Sequence, residues 1–262
     1  MVNVLLLRKI LALSLLTAMG FLASIPGSSI AAPIDGLHVK GVGKFPEDAM
    51  FIEDSQLAGD QLRMVVYGIE TDAGSGYCSG VPLGTNQFLT AKHCIHLAQD
   101  LSDITMFGAH GVQVEEVSDL PGVDAAMVTL NQNIFGNECA TFSQEPVAEG
   151  DELRLLTFDW ATLGVHQETL LVQQTNYEAF NPDLNLLSKG IIRAEPLDGS
   201  STVDGDSGAP VFVEGRSGMP LLAGTVVGVS KKNGQIMVQP LSPLVEELLE
   251  GCACCENVDD LS

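Results

Sequence analysis

From Gln61 to Leu241 the chain is a succession of short apolar or alternating runs, cut apart by Gly, Asn, Asp and Pro. The first half holds QLRMVVYGIE, YCSGVPL, QFLTA, ITMFGA, GVQVEEV and AAMVTL. The second holds ELRLLTF, TLLVQQTNY, LLSKGIIRAE, APVFVEG, LLAGTVVGVS and GQIMVQPL. Their Val, Ile, Thr and aromatic content fits strands. Many short strands with turns between them point to sandwiches or barrels, not to alternating βαβ units. The polar stretch SQEPVAEGDE, Ser143 to Glu152, separates two groups of about six runs each. We therefore expect one β unit over residues 51–145 and a second over 146–250, with no sequence repeat between them. One helix is expected, near the end, in LSPLVEELLEG. Ser242 can cap it, Pro243 suits its first turn and Gly251 can close it. Leu244 with Leu248 and Val245 with Leu249 then share a face. An acidic, Cys-rich tail follows over 251–262.

The N-terminus reads as a secretory signal peptide over residues 1–31. Arg8 and Lys9 precede an apolar run from Ile10 to Ala23, and Ser29-Ile30-Ala31 fits a small-residue cleavage site. That run is short for a bilayer span, and no later segment is long and apolar enough, so stable membrane insertion is not expected. Residues 32–50 are left as a pro-segment or extended arm, and the expected location is secreted or periplasmic. Removing the leader, which has two basic and no acidic residues, takes the net charge from −22 to −24. Such an acidic surface repels phosphate backbones, which excludes nucleic acid as a partner. Six cysteines in an exported chain point to disulfides. The CACC run lacks a His or a second Cys pair to complete a metal site. No metal or cofactor is expected.

Within VDGDSGAPVF, Ser207 stands between Asp206 and Gly208 on a polar turn ahead of an apolar strand. Turn chemistry alone explains those letters. A nucleophile presented beside backbone N–H donors explains them too. His93, in NQFLTAKHC, follows directly on an apolar strand and is a candidate base. Asp124, in GVDAAMVTL, opens another. In isolation Asp124 reads as an ordinary turn aspartate, but a buried carboxylate there needs donors, and an imidazole N–H is a good one. The order His93, Asp124, Ser207 differs from the Asp-His-Ser and Ser-Asp-His orders of two other serine-hydrolase folds.

LTAKHC, VDAAMV and GDSGAPV resemble the three signature blocks of trypsin/chymotrypsin-like serine proteases, and YCSGVPLGTNQFLTAKHC is similar to that family's strand pair leading to the histidine. The resemblance covers Gln61 to Leu249 and is closer to bacterial-type secreted members, because disulfides common in animal members are missing from the second half. It implies an all-β fold of two six-stranded antiparallel barrels with the active site between them, plus the short C-terminal helix. It implies Ser207 as nucleophile, His93 as general base and acid, and Asp124 as its orienting partner. The oxyanion hole falls to the N–H groups of Gly205 and Ser207. A Cys78–Cys94 disulfide would mount His93 rigidly, and Cys139 is expected to pair with a cysteine of the tail. Counting back from Ser207 puts Ser201 at the base of the specificity pocket, with Val227, Gly228 and Val229 as walls. Lys92 replaces a small residue of the family pattern and is expected to face outward. No clear free N-terminal motif is present to meet Asp206.

The function implied is a secreted serine endopeptidase acting on proteins or peptides. Two alternatives stay open: a catalytically silent, protease-like binding protein, and an esterase or acyl-transfer hydrolase on the same fold.

Overall fold

The computed structural model describes residues 32–33, 63–71, 74–107, 109, 111–135, 140–159, 164–181, 184–199, 205–230 and 233–252. The expected leader, most of the N-terminal arm, Cys139, Ser201 and the tail beyond Cys252 lie outside these residues. The first strand among the described residues is the two-residue β1 (Ala32–Pro33). The first unit is built from β2 (Val65–Thr71), β3 (Gly74–Pro82), β4 (Gln87–Thr90), a one-turn helix α1 (Lys92–His96), β5 (Ile104–Met106), β6 (Val114–Asp119) and β7 (Ala126–Leu130). The second contains β8 (Glu152–Asp159), β9 (Gly164–Asn181), β10 (Leu186–Pro196), β11 (Pro210–Glu214), β12 (Pro220–Val229) and β13 (Ile236–Pro240), followed by the helix α2 (Val245–Gly251).

Strands β2–β7 pair in the order β5-β2-β3-β4-β7-β6. The second six run β9-β10-β13-β12-β11-β8, and β8 pairs back with β9, which closes the barrel. The fold is therefore all-β with two six-stranded antiparallel units and a short C-terminal helix, as expected. β1 adds a parallel strand against Ala179 and Phe180.

A strand exposes alternate residues to opposite faces, and in β4, β7, β8 and β11 both faces are largely buried. Val65, Tyr67 and Ile69 fill the first unit together with Phe88 and Val128. Leu153, Leu155, Val211, Val226 and Val238 fill the second. The residues between them in sequence, such as Leu89, Met127, Leu156 and Phe212, point the other way and form a third cluster with Leu222 and Leu248. That cluster joins the two sheets and the C-terminal helix. Burying each such side chain is worth about 1.5–3 kcal/mol, which is why the runs are apolar at consecutive positions instead of strictly alternating.

Two local details differ from the sequence reading. The C-terminal helix starts at Val245, because Ser242–Leu244 forms a 3-10 turn in which the Leu244 N–H bonds the Leu241 carbonyl at 2.8 Å; Ser242 does not cap. The tighter i→i+3 bond takes up the turn that holds Pro243. The second difference is α1, which carries His93. A single turn has too few residues to show a helical period.

Candidate active site

His93 sits where β4 ends and α1 begins, and only 2 % of it is exposed. Asp124 lies on the turn before β7 and is fully buried. The two meet at two points. The His93 backbone N–H donates to Asp124 Oδ1 at 2.9 Å, and His93 Nδ1 lies 2.8 Å from Oδ2. With a carboxylate as its partner, Nδ1 is the protonated nitrogen of the neutral ring, which leaves Nε2 as the acceptor. A third donor is Asn181 Nδ2, 3.1 Å from Oδ2. Burial pushes the Asp124 carboxyl up, but the charge that His93 carries when protonated, the two His93 hydrogen bonds and the Asn181 amide outweigh it and hold the group below the usual carboxylate range.

Ser207 is carried on the turn Gly205–Gly208, just ahead of β11. The turn is fastened to both units. Gly208 N–H donates to the Val226 carbonyl of β12 at 2.7 Å, while Ser79 N–H, from β3, donates to the Ser207 carbonyl at 2.8 Å. Ser79 Oγ donates to the Gly205 carbonyl at 2.9 Å. Glycine is required at two positions. Gly205 has φ +108°, and a Cβ there would strike the ring of Tyr77. Gly208 has φ +84°, and a Cβ there would strike the Ser79 carbonyl and the Thr90 hydroxyl. The turn therefore lies against Thr90 and Ala91, the residues that lead into His93. Cys94 Sγ is 3.9 Å from the Ser207 carbonyl oxygen. Among the described residues, neither the Gly205 nor the Ser207 backbone N–H has an acceptor, and Ser207 Oγ makes no hydrogen bond.

Behind the turn a buried polar chain runs through the first unit. Thr90 Oγ1 donates to the Ser79 carbonyl at 2.6 Å and shares a 2.7 Å hydrogen bond with the Tyr67 hydroxyl. Burial pushes the Tyr67 hydroxyl well above its ordinary range, so it stays a neutral phenol. A disulfide joins Cys78 on β3 to Cys94 on α1. Closing a loop of that size contributes about 3 kcal/mol, here at the helix bearing His93. Lys92 does face away from the site: its Nζ lies 2.8 Å from Asp119, which also meets His96 Nε2 at 2.9 Å.

The sequence model of the trypsin family, described as Trypsin, matches residues 58–241. The chain belongs to the trypsin family. Its fold is shared with the Rv3671c protease of M. tuberculosis in its active form, with a TM-score of 0.55, 16% identity, and coverage of 74% of this chain and 82% of that one. It is shared with the scabies mite inactivated protease paralogue S-I1 at a TM-score of 0.54 and 16% identity, covering 71% of this chain and 92% of that one. The HtrA-type protease AlgW with tripeptide gives 0.54 at 14% identity, covering 72% of this chain and 60% of that one. No curated protein matches the trypsin-family chain by sequence.

Of the expected pocket residues, Val227 is fully buried in a small cluster with Ala179, Ile191 and Met237. Gly228 and Val229 pair with Met237 and Ile236 of β13 past a bulge. Asp206 is buried at 3 % exposure. Cys252 is disulfide-bonded, to a partner outside the described residues. Among the described residues no cluster of His, Cys, Asp and Glu suits a metal ion, and no helix is long and apolar enough to cross a membrane. Ser79, Thr90 and Asn181 were not singled out from the sequence. Ser79 had a usable signal, its place directly after Cys78. Asn181 precedes Pro182 in FNPD, letters that carry no signal beyond turn formation.

Proposed function

We propose that the chain is a secreted serine endopeptidase of bacterial type, freed by removal of residues 1–31, that cuts peptide bonds through an acyl-enzyme. The observation that carries this reading is the buried two-point contact between His93 and Asp124, with the Ser207 turn packed against the segment that leads into His93. Ser207 Oγ attacks the scissile carbonyl while His93 Nε2 takes the hydroxyl proton. The developing oxyanion is met by the N–H groups of Gly205 and Ser207. The C–N bond then breaks, and the leaving amine takes the proton from His93. Water, deprotonated by His93, attacks the ester, and the acid product leaves with Ser207 restored. Asp124 holds the ring orientation and stabilises the imidazolium formed in both halves.

Ser201 stands as the proposed pocket base, and Gly228 and Val229 with the backbone at Val227 as its walls. None of these carries a charge, so cleavage is proposed after uncharged, small or medium side chains. Profiling mature protein on a peptide library, with Ser207→Ala and His93→Ala as controls, tests the reading. Turnover of peptides that falls by several orders of magnitude in both controls supports it. Turnover of simple esters alone favours the esterase. A silent binding protein is the second reading. It is favoured by the lack, among the described residues, of a hydrogen bond from Ser207 Oγ to His93. Such bonds are often long without substrate and tighten when it binds.

A further inference from the structure

We propose that Asn181 is a positioning residue for Asp124: its side-chain amide, anchored by the Leu184 N–H, holds the carboxylate that orients His93. The inference rests on the Ser-His-Asp reading above. Asn181 is the last residue of β9 and is fully buried. Its two ends have different partners. Nδ2 donates to Asp124 Oδ2 at 3.1 Å, and Oδ1 accepts the Leu184 N–H at 3.3 Å. Reversing the amide would set an oxygen against the carboxylate and an NH2 against an N–H, so the hydrogen-bond network fixes which end faces Asp124.

The contact is unlike the other two that Asp124 makes. Both of those come from His93, the residue being oriented. Among the described residues, Asn181 is the one other hydrogen-bonding partner of Asp124, and it belongs to the second sheet. The carboxylate is thus held from both units. β9 is itself fixed there, since Ala179 packs with Ile191, Val227 and Met237 in a buried cluster. A carboxylate tied at Oδ2 by a neutral donor keeps its rotamer when the His93 ring gains and loses its proton. Without that donor, the His93 contacts alone must hold it.

The test uses the mature chain with Asn181→Leu, which keeps volume and removes the donor, and Asn181→Ala as the second variant. Folding is checked by circular dichroism and by the intact Cys78–Cys94 disulfide. The expected result is a kcat lower by about tenfold, the scale of a lost hydrogen bond to a charged group, with KM changed by less than about twofold. In the Asp124→Asn background, Asn181→Ala is expected to cost almost nothing more, since it acts only through that carboxylate. A full additive loss there, or an unchanged kcat in both folded single variants, overturns the proposal. A carbon-13 titration of the Asp124 carboxyl needs no turnover. It is expected to move upward in pH in both variants, and an unmoved titration counts against the contact. Absence of turnover in the unaltered chain would count against the protease reading instead, with the carboxyl titration still deciding for Asn181.

Discussion

Ser79 Oγ donates to the Gly205 carbonyl across 2.9 Å, and Ser79 N–H donates to the Ser207 carbonyl across 2.8 Å. One residue of the first unit thus holds two carbonyls, on either side of Asp206, in the turn that carries Ser207. Ser79→Ala keeps the backbone bond and leaves the Gly205 carbonyl without its donor. The expected cost is about 1–3 kcal/mol, the penalty for stranding a buried acceptor. It should be visible as a lower melting temperature and a kcat reduced by roughly tenfold or more. Steady-state kinetics and thermal melting check both.

Gly205→Ala is expected to be more damaging to activity than to folding. The residue sits at φ +108° with the Tyr77 ring where a Cβ would go. The turn must shift, and with it the N–H proposed for the oxyanion hole. Misplacing one such donor costs about 10²–10³ in kcat. The backbone strain adds about 1–3 kcal/mol to the cost of folding. Kinetics paired with denaturant unfolding separates the two.

Cys78→Ser with Cys94→Ser removes the link between β3 and α1. We expect a loss of about 3 kcal/mol of stability, read from urea unfolding. Because the bond anchors the helix bearing His93, activity should fall even at temperatures where the variant remains folded.

Much of this frame was legible in the residues. The short runs rich in Val, Ile, Thr and aromatic residues announced strands, and both six-stranded sheets are built from them. The His93, Asp124 and Ser207 blocks stood out through their resemblance, in order, to the family's signature blocks, since Asp124 alone reads as an ordinary turn aspartate; the structure brings Asp124 against His93. What stayed hidden was carried by long-range contacts. Asn181 reaches Asp124 across 57 positions, and nothing local to FNPD marks it as anything but a turn. Ser79 reaches Gly205 across 126 positions. The one turn of α1 is too short to show a period, and the 3-10 turn at Ser242 looks like a helix cap until the backbone bond at Leu244 is seen.

Stability should depend on pH through Asp124. Its carboxyl is held below the usual range in the folded chain, against the effect of burial, by the charge that His93 carries when protonated, by the His93 hydrogen bonds and by Asn181. A depressed folded value means that the contribution is present above the unfolded value of about 3.9 and is lost as pH falls through the folded one. Unfolding free energies measured below about pH 4 should therefore fall more steeply for the unaltered chain than for Asp124→Asn. Equal slopes would falsify the assignment of this charge to the fold's acid sensitivity.

The central claim is that Ser207 is a nucleophile activated by His93. Treating the mature chain with a fluorophosphonate probe and mapping the modified peptide by mass spectrometry tests it most directly. We predict rapid labelling at Ser207 alone, slowed by several orders of magnitude in His93→Ala and absent in Ser207→Ala. Labelling at another residue, labelling that survives Ser207→Ala, or no labelling of the folded chain would contradict it.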